Sequence, residues 1–224
     1  MASFKLNIAR IRNCPPVGKV AKAIEAFGAP ETEEFAVINH SAAEQSVFAT
    51  VVRKTQQSLQ LLDAKSRQIT ATTVEKVTAY PFALRVQAQL LEVYAGSSAA
   101  IEQVGTFLTG AISLPIEVEH IEMDIPAAID TLSKSSQKFQ LRSVRLSEYA
   151  HNSFVCGPYA PKFLDSQHGR DFMDEYQQAI TGASVRLAMP GGLVTVNLCP
   201  RACFGFSCNE DDVPAVQALL RKLF

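Results

Sequence analysis

The sequence predicts an α+β fold: antiparallel sheets with helices packed on one face, laid out as two pseudo-repeated halves and extended by a long polar β-hairpin. Three observations point there. Strand-like segments come in runs that each end in a single helix, the order of antiparallel sheets rather than of alternating βαβ units. Two strand segments near the C-terminus are joined by the tight turn "PGG" at 190–192. The chain also has no glycine-rich loop between a strand and a helix. Its only GG, Gly191-Gly192, lies between strands, which argues against a Rossmann or P-loop site and leaves no cofactor expected.

The elements follow in order. "SFKLNIARI" alternates Phe4, Leu6 and Ile8 with Lys5, Asn7 and Ala9, the period of a half-buried strand. After "CPP", residues Val17, Val20, Ala21, Ile24 and Phe27 recur at helical spacing, and Gly28 with Pro30 supplies a stop. Strand-like runs at 34–39 and 46–53 come next. From Thr55 to Thr78 the chain is rich in Gln, Thr and Ser, with "DAKSRQ" as a turn in its middle. Both faces are largely polar, with Leu59, Leu61 and Leu62 clustered near the tip, so the sequence predicts a hairpin arm over 47–82 that extends past its own sheet.

Strand residues Leu84, Val86, Ala88 and Leu90 lead to a helix marked by Ile101, Val104, Phe107 and Leu108, with Ser97 or Ser98 as its cap. The C-terminal end repeats this order. "SVRLAM", "LVTVNLC" and "ACFGFSC" read as strands, followed by a helix with Val213, Val216, Leu219 and Leu220 at matching spacings. The halves divide at 1–113 and 114–224.

Composition bounds the function. Of 224 residues, 47% are hydrophobic and 19% charged, values of a globular chain, and the net charge is −1. "MASFKLNIARIR" has no apolar signal region and no run of apolar residues is long enough for a membrane span, so the expected location is cytoplasmic, with free thiols.

The charge is unevenly laid out. From Val86 to Ser133 there is no Lys or Arg but seven acids, whereas Lys138 to Arg170 carries a net +3 and the segment 44–80 a net +2. A neutral chain so divided can still present a basic face to an anion. The segment 142–163, "RSVRLSEYAHNSFVCGPYAPKF", reads as a long irregular loop with aromatics among basic residues, suited to stacking and phosphate contacts. Its candidate binding residues are Arg142, Arg145, Tyr149, His151, Tyr159 and Lys162.

Other clusters carry weaker signals. In "EHIEMD", His120, Glu122 and Asp124 share one face if the segment is a strand, a candidate metal set; no metal is otherwise expected. His168, Asp171 and Glu175 share a helix face if a helix capped by Ser166 starts before His168, a weak candidate catalytic set. Cys156 and His151 match no thiol-enzyme pattern.

Three cysteines, Cys199, Cys203 and Cys208, stand within ten residues. On a strand, Cys203 and Cys208 are about 16 Å apart, too far for one metal to bridge. Cys199 and Cys203 flank the "PRA" turn and can approach one another, but two ligands make no zinc site. The cluster therefore reads as a strand feeding a helix, its thiols structural and its acids set against the helix dipole.

The leading expectation is a non-catalytic module that binds a macromolecular partner, nucleic acid or protein, through the basic aromatic loop and the hairpin arm. The alternatives are a small hydrolase or metal-dependent enzyme built on an acid–histidine site, and a structural subunit of a homo-oligomer.

Overall fold

In the computed structural model the described residues are 2–27, 34–62, 67, 69–136, 138–152 and 155–224. The expected turn "DAKSRQ", the Gly28–Pro30 stop and Phe154 lie wholly or largely outside them, as does the side chain of His151.

The chain is mixed helix and strand and divides into two compact units, Met1–Ile8 with His120–Phe224, and Ala9–Glu119. The first strand, β1 (Ala2–Arg12), contributes its opening residues to the former and its end to the latter.

In the Ala9–Glu119 unit the order is α1 (Val17–Ala26), β2 (Phe35–Ala43), β3 (Ser46–Leu62), β4 (Ile69–Arg85), β5 (Leu90–Val93) and α2 (Ala99–Thr106), ending in a π-helical turn, Phe107–Ala111. The strands lie in the order β2-β3-β4-β5-β1, and β2 to β5 pair antiparallel. β3 and β4 pair from Ser46↔Arg85 to Leu62↔Ile69, but β2 reaches only to Arg53 and β5 only to Phe82. The outer ladder, Lys54–Leu62 with Ile69–Val77, is mostly exposed, including Leu62 at 67% and Ile69 at 66%.

Alternation explains the core. Val47, Ala49 and Val51 of β3 point one way with Phe82 and Leu84 and are buried with Val20, Ile24, Ile101 and Val104 of the helices. Phe107 lies at the centre, with the rings of Phe27, Phe35 and Phe82 5.2, 5.9 and 6.4 Å away. Of the two expected cap residues, Ser98 stands at the N-cap of α2 without a side-chain cap bond, and the Ser97 Oγ accepts from the Ala99 N–H at 3.3 Å.

The other unit contains the start of β1, then α3 (Ile125–Ser135), β7 (Phe139–Asn152), β8 (Val155–Tyr159), α4 (Ser166–Glu175), β9 (Ile180–Met189), β10 (Gly192–Cys199), β11 (Cys203–Cys208) and α5 (Val213–Arg221). The short strand β6 (Glu117–His120) pairs with β1. Here the strand order is β1-β11-β10-β9-β7-β8, and every neighbouring pair is antiparallel. Pro214 sits in the first turn of α5, where its missing N–H costs no helical bond.

Three expectations are corrected. Antiparallel sheets with helices packed on one face do not describe the molecule: extensive antiparallel sheet dominates, with strands of up to 17 residues, and the helices are short. The irregular loop at 142–163 is largely strand, since β7 pairs with β8 and Ser143 bridges to Lys162. Its polar residues gave it the look of a loop, but a strand with one polar face needs only every other side chain to be apolar. Finally, the segment around His120, Glu122 and Asp124 is not one strand: β6 ends at His120, and Asp124 caps α3 by accepting from the Ala127 N–H at 3.0 Å.

Candidate binding face

The register of β1, β11, β10, β9 and β7 places side chains in rows. Lys5, Gly205, Asn197, Ser184 and Ser143 stand opposite one another across five strands. One row away stand Ser3, Ser207, Thr195, Arg186 and Gln140. On the other side of the Lys5 row, Cys203 faces Cys199 and Arg145 faces Gly182. The alternate rows, such as Leu6, Phe204, Leu198, Ala183 and Val144, are buried and apolar. Period-2 alternation therefore gives this sheet one apolar and one polar face.

The polar face carries Lys5, Arg145 and Arg186, and the rows just named contain no carboxylate. Across β1, β11, β10, β9 and β7, at about 4.8 Å per strand, the cations span roughly 19 Å. Small residues keep the surface low: a β-carbon on Gly205 would come within 3.0 Å of Lys5 Nζ, and one on Gly182 within 2.9 Å of the Leu198 carbonyl oxygen. A cavity of about 100 Å³ opens beside them, lined in part by Arg145, Ser184, Asn197 and Cys199.

The sequence-derived site residues fall in different places. Arg145 is exposed on the polar face. Arg142 is half-buried at the irregularity between Leu141 and Ser143. Lys162 is exposed beside β7, and the neighbouring Phe163 N–H donates to the Arg142 carbonyl at 2.8 Å. Tyr149 and Tyr159 stack on each other with centroids 4.5 Å apart, and join Tyr176, Phe172 and Phe163 in a chain of rings linking β7 and β8 to α4. His151 belongs to β7.

The acid–histidine sets have structural partners. α4 begins before His168, but its cap is Asp165 rather than Ser166: Asp165 accepts from the Gln167 N–H at 2.9 Å and meets His168 Nδ1 at 3.0 Å, with the His168 side chain 83% exposed. Asp171 accepts from Gln167 Nε2 at 2.9 Å. Glu175 accepts from the Tyr176 hydroxyl, the main cause of a Tyr176 pKa pushed up to about 12. Among the described residues no three His, Cys, Asp or Glu side chains gather as a metal site.

Lys5 and Arg186 were missed in the sequence because they lie far along the chain from 142–163; only the strand register brings them beside Arg145. The available signal was the alternation of "SFKLNIARI" and "SVRLAM", which puts each cation on the polar side of its strand. The acids at the end of the cysteine cluster lead into α5, and one of them has a further role. Asp212 is buried, and its Oδ1 accepts from the Gly191 N–H at 3.0 Å, so it latches the "PGG" turn.

Compared with known proteins, the chain matches no family model and no curated sequence. Among the described residues no helix is long and apolar enough to cross a membrane.

Proposed function

We propose that the protein is a cytoplasmic, non-catalytic binding module that engages a polyanionic macromolecule, nucleic acid first, on the polar face of the β1-β11-β10-β9-β7 sheet. The observation that supports this most is the set Lys5, Arg145 and Arg186 on rows without a carboxylate. Three cations spread over roughly 19 Å cannot all reach one phosphate, but they suit a repeating charge. Arg142 and Lys162 border this face through β7.

A second reading, a protein partner, is favoured by the outer β3–β4 ladder. Leu62, Ile69 and Val77 are exposed apolar residues on a polar two-stranded arm of the kind that can grip another chain. A two-fold internal repeat belongs to the same reading: each unit has a helix, then strands, then a closing helix, although the His120–Phe224 unit also carries α4 between β8 and β9.

The experiment is size exclusion of the untagged protein with absorbance at 260 and 280 nm. With no Trp and five Tyr the chain absorbs weakly at 280 nm, so bound nucleic acid stands out. A high ratio lost in salt supports the first reading, and a low ratio at every salt concentration turns the assignment to the protein partner.

A further inference from the structure

We propose that Cys199 and Cys203 form a reversible dithiol–disulfide pair, with Cys199 as the attacking thiolate and anionic low-molecular-weight disulfides as its oxidants. This inference is independent of what the polar face binds.

The geometry begins with register. Cys199 and Cys203 are direct partners in the β10–β11 ladder. Opposed residues of an antiparallel pair have Cα atoms about 4.5–5.5 Å apart, inside the roughly 4.4–6.8 Å that a disulfide spans. The connecting turn is held on both sides: the Met123 N–H donates to the Pro200 carbonyl at 2.6 Å and the Ile8 N–H to the Ala202 carbonyl at 3.0 Å. Ala202 closes the turn at φ 47°, a left-handed conformation a non-glycine residue adopts only when its surroundings impose it. The bond can thus close with little backbone movement.

The thiols are also set up to react. Both are half-buried rather than sealed, and Cys199 lines the 100 Å³ cavity with Arg145 and Asn197. The Cys203 thiol donates to Cys199, which lowers the Cys199 pKa to about 6; burial opposes this, and the charges of Arg145 and Lys5 assist it. Cys203, as the donor, is held protonated and its pKa is raised. A low-pKa thiolate beside a resolving thiol is the arrangement of thiol–disulfide exchange.

The step balances. The Cys199 thiolate attacks one sulfur of the external disulfide; a mixed disulfide forms and one thiolate leaves, taking the Cys203 proton. The Cys203 thiolate then attacks the Cys199 sulfur, the Cys199–Cys203 bond forms, and the second thiolate leaves and is protonated by solvent. Two electrons pass from the pair to the oxidant, which is reduced to two thiols. Lys5 and Arg145 are the charged groups facing the pair, and they draw an anionic oxidant such as oxidised glutathione in preference to the cationic cystamine.

The test uses the full chain with Cys156→Ser, which removes the exposed lone thiol. The reduced protein is treated with oxidised glutathione, its remaining thiols are alkylated, and it is digested with trypsin, which cuts between Arg201 and Ala202. The Cys199 and Cys203 peptides are expected to come off linked; recovery of both alkylated, or of glutathione left on Cys199, would overturn the proposal. With Cys203→Ser added, one glutathione is expected to stay on Cys199, and an unmodified Cys199 counts against the attacking role. Lys5→Gln is expected to slow the reaction with oxidised glutathione roughly threefold relative to cystamine. Equal slowing refutes the anionic preference.

Discussion

The carboxylate of Glu92, with no solvent exposure at all, meets the Arg85 guanidinium at 3.2 Å across the β4–β5 turn. The Tyr94 hydroxyl donates to the same oxygen at 2.7 Å. The two charged residues differ in exposure. Arg85 also donates to Ser46 Oγ at 3.1 Å, lies over the Phe48 ring at 4.7 Å and keeps 21% of its side chain exposed.

That asymmetry predicts unequal mutants. Arg85→Leu leaves a carboxylate fully buried without its cation and is expected to cost roughly 3–5 kcal/mol. Glu92→Leu leaves an arginine that still reaches water, Ser46 and Phe48, and is expected to cost about half as much. Urea unfolding measures both; equal losses would contradict the reading of Arg85 as the better-supported partner.

Gly182 tests how closely the polar face is built. A β-carbon there would meet a backbone oxygen, Leu198 O, which cannot rotate away as a side chain can. Gly182→Ala is therefore expected to destabilise by about 1–3 kcal/mol, although alanine ordinarily suits a strand better than glycine. A thermal melt unchanged from wild type would show that the strands have room.

Stability in reductant should depend on pH through the thiol pair. With Cys199 lowered to about 6 and Cys203 raised, the folded pair holds one proton over a range in which two unfolded thiols, at their ordinary 9.0, hold two. The unfolded state then binds more protons, so stability rises with pH from about 6 to about 9. Above 9 the folded pair keeps a proton that the unfolded chain has lost, and stability falls. Urea midpoints should follow that dome and lose the rising limb in Cys199→Ser, whereas a wild-type profile with no rise would contradict the assignment.

The outer ladder should exchange its amides far faster than the inner one. Lys54–Leu62 and Ile69–Val77 pair with each other beyond the reach of β2 and β5, while Val47–Val52 and Phe82–Leu84 are flanked on both sides. Hydrogen exchange should resolve the two zones, and Leu62→Lys should leave the melting temperature within about 1 °C. Uniform protection along both strands would argue that something covers the outer ladder.

What the sequence made legible follows from where periodicity is clean. β1, α1, β9 to β11 and α5 were readable because apolar residues repeat every second or every third to fourth position. α3 was not: "IPAAIDTLSKS" lies in a stretch that drew notice only for its acids, although Ile125, Ile129 and Leu132 hold helical spacing. The strand character of 142–163 was hidden by register irregularities at Leu141/Ser143 and Leu146/Tyr149, which break the alternation. Arg145 was legible as a candidate on its own. Its neighbours on the polar face were not, because pairing across strands is a tertiary fact that no local spacing records. The facing of Cys199 and Cys203 was foreseeable from "CPRAC", but not the cations beside them.

The most direct test of the central claim is binding of a fluorescent oligonucleotide as a function of salt, with wild type and the triple variant Lys5→Gln, Arg145→Gln, Arg186→Gln. Affinity should fall with salt, with a log–log slope about 2 units steeper in wild type than in the variant for single strands, or about 2.7 for duplex. Absence of binding at low salt, or a slope unchanged by the triple substitution, would contradict it.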